Sequence, residues 1–172
     1  MAEVDLVPRP ATRALELWVP ATVVVFDQIT KYLIRRSLPL HESVVVVPGF
    51  LDFTHVRNTG AAFGLLNGVE FPFKTAVIAV VALTALIGVA VYARGLAGGQ
   101  TLARVGLALI LGGAAGNLSD RLFIGSVVDF VDVYWRTYHF WAFNVADSAI
   151  TVGVGVMILD MIGAGTHVSK TV

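Results

Sequence analysis

The chain has 172 residues, no cysteine, and 12 Lys plus Arg against 12 Asp plus Glu, a formal net charge of zero. It is 56% hydrophobic and 14% charged, where a soluble domain carries about 25% charged residues, so the composition points to a membrane protein. Zero net charge leaves no electrostatic footprint for nucleic acid. The missing cysteines exclude disulfides, thiolate metal sites and a cysteine nucleophile. His41, His55, His139 and His167 form no ligand pair at helical spacing, so neither a metal site nor a cofactor is expected.

The N-terminal segment, residues 1–13, is polar and holds Pro8 and Pro10. No small-residue cleavage site follows the first apolar run, so that run is expected to be retained as a span rather than removed as a signal peptide. Crossing the hydrocarbon core takes about 20 mostly apolar residues. Four segments qualify, at about 14–34, 71–92, 101–123 and 146–165. The first contains Pro20 and ends on Asp27, Gln28 and Lys31; the second carries only Lys74 as a charge. The third is rich in small residues (Gly112, Gly113, Ala114, Ala115, Gly116), which permit close helix approach and suit an interior helix. The fourth begins at Asp147 and carries Asp160 near its end, expected to be a capping or interfacial charge. Residues 166–172 form a tail outside a single integral-membrane domain over 14–165.

Between the first two spans, Val44–Val47 and Phe50–Val56 flank Pro48-Gly49. Two β-branched or aromatic runs split by Pro-Gly predict a small sheet or hairpin. The connection from Ile124 to Val145 holds Asp129, Asp132 and the aromatics Tyr134, Trp135, Tyr138 and Trp141, which suit an interfacial belt. The fold class expected is therefore a mainly α membrane protein. It has four transmembrane helices, a small β-sheet, and a second connection on the same side carrying an acidic candidate.

An even number of spans puts both termini on one side and both long connections on the other. Asp27, Lys31, Arg57, Asn58, Asn117, Asp120, Arg121, Asp129, Asn144 and Asp147 then converge on one membrane face. Carboxylates beside hydrocarbon are costly and need a reason. Asp129 and Asp147 are able to meet at the mouth of the third and fourth helices. Two close carboxylates share a proton near neutral pH, which suits one to activate water and the other to protonate a substrate. From spacing alone the same two residues also read as helix caps or salt-bridge partners. Asn117, Asp120 and Arg121 share a helix face, and Asp120 is expected to tether the end of helix three through an ion pair. Asn144 is placed to cap helix four or to hold a substrate carbonyl. Asp27 and Lys31, at i and i+4, predict an intrahelical salt bridge or a contact to lipid headgroup or substrate. Arg57 to Gly64 lacks helical apolar spacing and is either a binding loop or the approach to helix two. The basic residues (Arg9, Arg13, Arg94, Arg104 and Lys170 on one side; Lys31, Arg35, Arg36, Arg57, Lys74, Arg121 and Arg136 on the other) place the polar site inside by the positive-inside rule.

Five strings, in order, resemble the lipoprotein signal peptidase family, the bacterial type II signal peptidases. They are Asp27-Gln28-Ile29-Thr30-Lys31, Arg57 to Phe63, Gly116-Asn117-Leu118-Ser119-Asp120-Arg121, Val127-Val128-Asp129-Phe130 and Phe143-Asn144-Val145-Ala146-Asp147-Ser148. The resemblance implies an aspartic endopeptidase of the bacterial inner membrane that cuts prolipoproteins just before a diacylglyceryl-modified cysteine. It implies Asp129 and Asp147 as the catalytic dyad. Asn58, Gly60, Asn117, Asp120, Arg121 and Asn144 would line or support the site, with Asp27 and Lys31 behind them. It further implies membrane lipid and globomycin-type inhibitors as partners, an extracytoplasmic sheet at Val44 to Val56, and cytoplasmic termini, the reverse of the charge count. The chain shows no exposed heptad seam, which fits a monomer. Two rival readings remain at this level. One is a serine–lysine protease using Ser119, Ser126 or Ser148 beside Lys31. The other is a small transporter, which would place its carboxylates near the midplane in paired repeats.

Overall fold

The computed structural model describes residues 10–60, 69, 71–96 and 100–168. In chain order the elements are α1 (Pro10–Ser37), β1 (Ser43–Val47), β2 (Leu51–Asn58), α2 (Lys74–Arg94), α3 (Thr101–Phe123), β3 (Val127–Trp135), β4 (Tyr138–His139) and α4 (Val145–Val168). All four helices are long and apolar enough to cross a membrane, as the hydropathy pattern predicts. α1 and α4 extend past the expected spans, because a helix need not stop where the hydrocarbon does. Pro10 opens α1, where its missing N–H costs nothing.

α3 is the central helix. Its span is 56% buried, against 17% or less for the other three. Glycines let its neighbours approach: a Cβ at Gly113 would lie 2.3 Å from the Ala146 carbonyl oxygen, and one at Gly116 would lie 2.7 Å from an Asp27 carboxylate oxygen. With a Cβ at Gly112 only 2.9 Å from the Pro20 Cα, α1 and α4 both close on α3 with backbone almost against backbone. Leu17, Trp18, Phe26, Val81, Val91 and Leu159 point outward and exposed, the surface that lipid covers.

The sheet runs β1-β2-β3-β4, antiparallel throughout. The Pro48-Gly49 hairpin forms as expected, with Gly49 at φ 79° and Phe50 N–H donating to Val47 C=O at 3.0 Å. The second long connection is more than a carrier of acidic residues. Its first half is β3, which pairs along β2 from Leu51↔Val133 to Asn58↔Val127. A bulge lies between Phe53 and Val56. Bulges re-aim the strand beyond them, and past this one Val56 stands opposite Asp129. His55, inside the bulge, ties it to the residue just past α1 through Nδ1 and the Leu38 carbonyl at 2.8 Å. Trp135, Tyr138 and Trp141 are exposed, consistent with the interfacial belt.

Candidate active site

The polar residues that converge by span counting, Arg57 apart, do meet, where α1, α3 and α4 end against β2 and β3; Arg57 is exposed. At the base is a fully buried charge cluster. Lys31 Nζ lies 2.8 Å from Asp27 and 3.2 Å from Asp120, all with no solvent exposure, and donates to Asn117 Oδ1 at 2.8 Å. One cation thus serves two carboxylates, the arrangement that makes buried charge tolerable. The intrahelical Asp27–Lys31 bridge is present. The alternative contact to lipid headgroup or substrate is not, because neither side chain reaches the surface.

Each carboxylate in that cluster also holds a backbone. Asp27 Oδ1 accepts the Ala146 N–H at 3.0 Å, placing negative charge at the N-terminus of α4 where the helix dipole favours it. Asp120 Oδ2 accepts the Val128 N–H at 3.1 Å and so sets the start of β3. The expected ion pair of Asp120 exists, with Lys31 of α1; Arg35 approaches to 4.0 Å. Arg121 instead donates to the carbonyls of Gly60 at 2.9 Å and Asn117 at 3.3 Å.

Asn144 takes the capping role that its position suggests. Its Oδ1 accepts the Asp147 N–H at 2.9 Å, and its own N–H donates to Asp147 Oδ2 at 3.2 Å. This reciprocal pair is a capping box, and it orients the Asp147 carboxylate. Asn144 Nδ2 meanwhile donates to Asp129 Oδ1 at 2.7 Å. One side chain therefore links the two aspartates. Asn58 donates to Asp129 Oδ2 at 3.1 Å and Asn117 to Asp147 Oδ1 at 2.8 Å. Gly60 N–H donates to Asn58 Oδ1 at 2.9 Å, so the Arg121 contact to Gly60 supports Asn58 as well.

The two aspartates differ in setting. Asp129 is 3% exposed, while Asp147 is half-buried. Burial pushes the Asp129 carboxyl up to about 7; the Asp147 charge adds to the rise, and the Asn58 and Asn144 donors and Lys31 oppose it. A carboxyl protonated near neutral pH beside a second carboxylate is the state needed for general acid–base work on an amide.

Other expectations resolve differently. The Lys31 ammonium faces carboxylates and an amide oxygen, while Ser119 Oγ and Ser148 Oγ donate to the Ala115 and Asn144 carbonyls. Lys31 therefore pairs with none of the candidate serines. The clustering at helix ends likewise departs from a midplane ion site. Asp160 sits inside α4, which continues to Val168, so it caps nothing. Asp132 pairs with His139 at 2.8 Å farther along the sheet. Residues 61–64 of the glycine-containing segment lie outside the described residues. Gln28 was missed: its Nε2 donates to Asp120 Oδ1, the Gly116 carbonyl and Asp27 Oδ2 at 3.1–3.2 Å. Its place between Asp27 and Lys31, at the polar end of an apolar helix, was the available signal.

The chain matches the family model described as signal peptidase (SPase) II over residues 19–163. It is 49% identical over 152 residues to the lipoprotein signal peptidase of Geobacter metallireducens, covering 88% of this chain and 93% of that one. It is 44% identical over 161 residues to that of Pseudomonas putida, covering 90% and 92%. A solved bacterial membrane enzyme superposes with a TM-score of 0.74 at 34% identity, covering 88% of this chain and 90% of the other. Four membrane-spanning helices, the antiparallel sheet across their ends and these likenesses together place the chain in the signal peptidase II family, as a membrane-embedded peptidase.

Proposed function

We propose that the protein is an aspartic endopeptidase that removes signal peptides from diacylglyceryl-modified prolipoproteins, cutting on the N-terminal side of the lipidated cysteine. Asp129 and Asp147 are its catalytic dyad. The observation that carries this reading is that one residue, Asn144, holds both carboxylates, Asp129 through its side-chain amide and Asp147 through its backbone N–H, with Asp129 raised to about 7.

In the reaction, Asp147 takes a proton from a water molecule as that water attacks the scissile carbonyl. Asp129 gives its proton to the carbonyl oxygen. When the tetrahedral gem-diol collapses, the C–N bond breaks, the leaving amine takes the proton that Asp147 acquired, and one diol hydroxyl returns a proton to Asp129 as the product carboxyl forms. The pair ends with one proton, as it began. The amide donors of Asn58, Asn117 and Asn144 hold the two carboxylates in place, so little reorganisation is needed at the moment of reaction. Arg121 and Gly60 support Asn58; Asp27, Lys31 and Asp120 position α4 and β3.

The dyad lies at the ends of the helices, which suits a bond just outside the hydrocarbon layer. The diacylglyceryl chains stay in the membrane while the peptide crosses the dyad. We place the enzyme in the bacterial inner membrane as a monomer, with both termini cytoplasmic and the dyad near the extracytoplasmic face. The 14–165 region acts as one peptidase domain, and globomycin-type inhibitors occupy the dyad.

The test is a gel-shift assay with purified protein and a diacylglyceryl-modified precursor, with an unlipidated precursor as control. Asp129→Asn and Asp147→Asn should each abolish processing while melting like the wild type. Normal processing by either variant overturns the assignment.

A further inference from the structure

At the end of the bundle away from the aspartates, α1, α2 and α3 enclose a cleft of about 460 Å³, well within the ~300–1,000 Å³ of small-molecule sites. α1 and α2 both lean on α3 rather than on each other, which leaves the cleft between them. Its walls are Leu17, Ala90, Ala93, Leu107, Ala108 and Leu111, and its rim is Glu16, Arg94 and Arg104. Arg104, on the first turn of α3, is 5% exposed and donates to the Glu16 carboxylate and the Leu96 carbonyl. Arg94 ends α2 and is exposed.

Two features define the occupant. The rim stands where helices leave the bilayer, at headgroup depth, and carries two cations against one anion. The apolar wall runs from Arg104 to Leu111, about 10 Å at the helical rise of ~1.5 Å per residue, along the direction of a lipid chain. We propose that this cleft binds one anionic glycerophospholipid of the leaflet opposite the dyad. Its phosphate lies against Arg94 and the Arg104–Glu16 pair, and one acyl chain lies along Leu107, Ala108 and Leu111. The cleft shares no residue with the dyad and its supports.

Native mass spectrometry of the delipidated full chain in detergent tests this, with phosphatidylglycerol, phosphatidylcholine and free glycerol phosphate as probes. Phosphatidylglycerol should give one adduct that survives where phosphatidylcholine is lost. Arg94→Gln should weaken it about fivefold, the worth of one basic side chain at an anionic surface. Ala90→Phe, which fills the cleft from α2 without altering a charge, should remove it. Equal binding of the two lipids, an adduct that persists in Ala90→Phe, or displacement by glycerol phosphate overturns the proposal. Arg94 is exposed, so Arg94→Gln keeps the test open should Ala90→Phe fold poorly.

Discussion

Gly113→Ala should cost catalysis heavily in a protein that still folds. A Cβ at Gly113 would stand 2.3 Å from the Ala146 carbonyl oxygen and 2.8 Å from Ile150 Cγ1. Ordinary contact begins near 3.4 Å, so the first turn of α4 must retreat by about 1 Å. Ala146 is the neighbour of Asp147, and that turn is held by Asp27 and Asn144. A shift of this size at reacting groups is able to cost about 100-fold in rate, whereas overpacking costs about 1–3 kcal/mol of stability. The loss should fall on kcat rather than KM, because the substrate meets the same surface but a displaced carboxylate. The assay is the lipidated-precursor gel shift at several substrate concentrations, with melting temperature measured in parallel. Gly155→Ala is the control: it lies on the same helix, and a Cβ there meets nothing within 4 Å. It should keep full activity and gain up to about 1 kcal/mol from helix propensity. Wild-type kcat in a folded Gly113→Ala protein would refute the idea that this close approach sets the Asp147 position.

Lys31→Met should leave Asp27 and Asp120 buried without their cation and cost about 3–5 kcal/mol, read as a large drop in melting temperature; an unchanged melt would show that the cluster is not what holds the helix ends. Asn144→Ser keeps a capping oxygen for α4 but is too short for Asp129, so helix content should hold while processing fails; retained processing would separate Asn144 from the dyad. The proton on Asp129 also predicts a pH signature. In the folded protein it is held to about pH 7, against an ordinary value of 3.8. Between those values the folded state binds the extra proton, so stability declines as pH rises through the window and levels off above it. Melting curves of Asp129→Asn should lack that decline, and wild-type activity should fall on the alkaline side of about 7 with a midpoint belonging to the pair.

Much of the architecture was legible in residue order. Hydropathy counts spans because each helix must be apolar for the length of the bilayer, whatever it packs against. An even count then brings the polar motifs to one face without any coordinates. The capping role of Asn144 and the Asp27–Lys31 bridge are local, three or four residues apart, so spacing alone finds them. The central place of α3 was visible in its small residues.

What the tertiary structure decided is everything that depends on distant partners. Asn58 and Asp129 are 71 residues apart and meet because β3 pairs with β2 beyond a bulge, which no local periodicity announces. Lys31 finds Asn117 across 86 residues, which turns an expected helical salt bridge into the buried junction of three elements. Asp120, Asp129 and Asp147 began as three similar acids beside an apolar bundle. Packing separated them: Asp120 is matched with a cation and a backbone N–H, while Asp129 and Asp147 are joined through one asparagine. A carboxylate's chemistry is set by its desolvation and its neighbours, and those are properties of the folded interior, not of the chain that enters it.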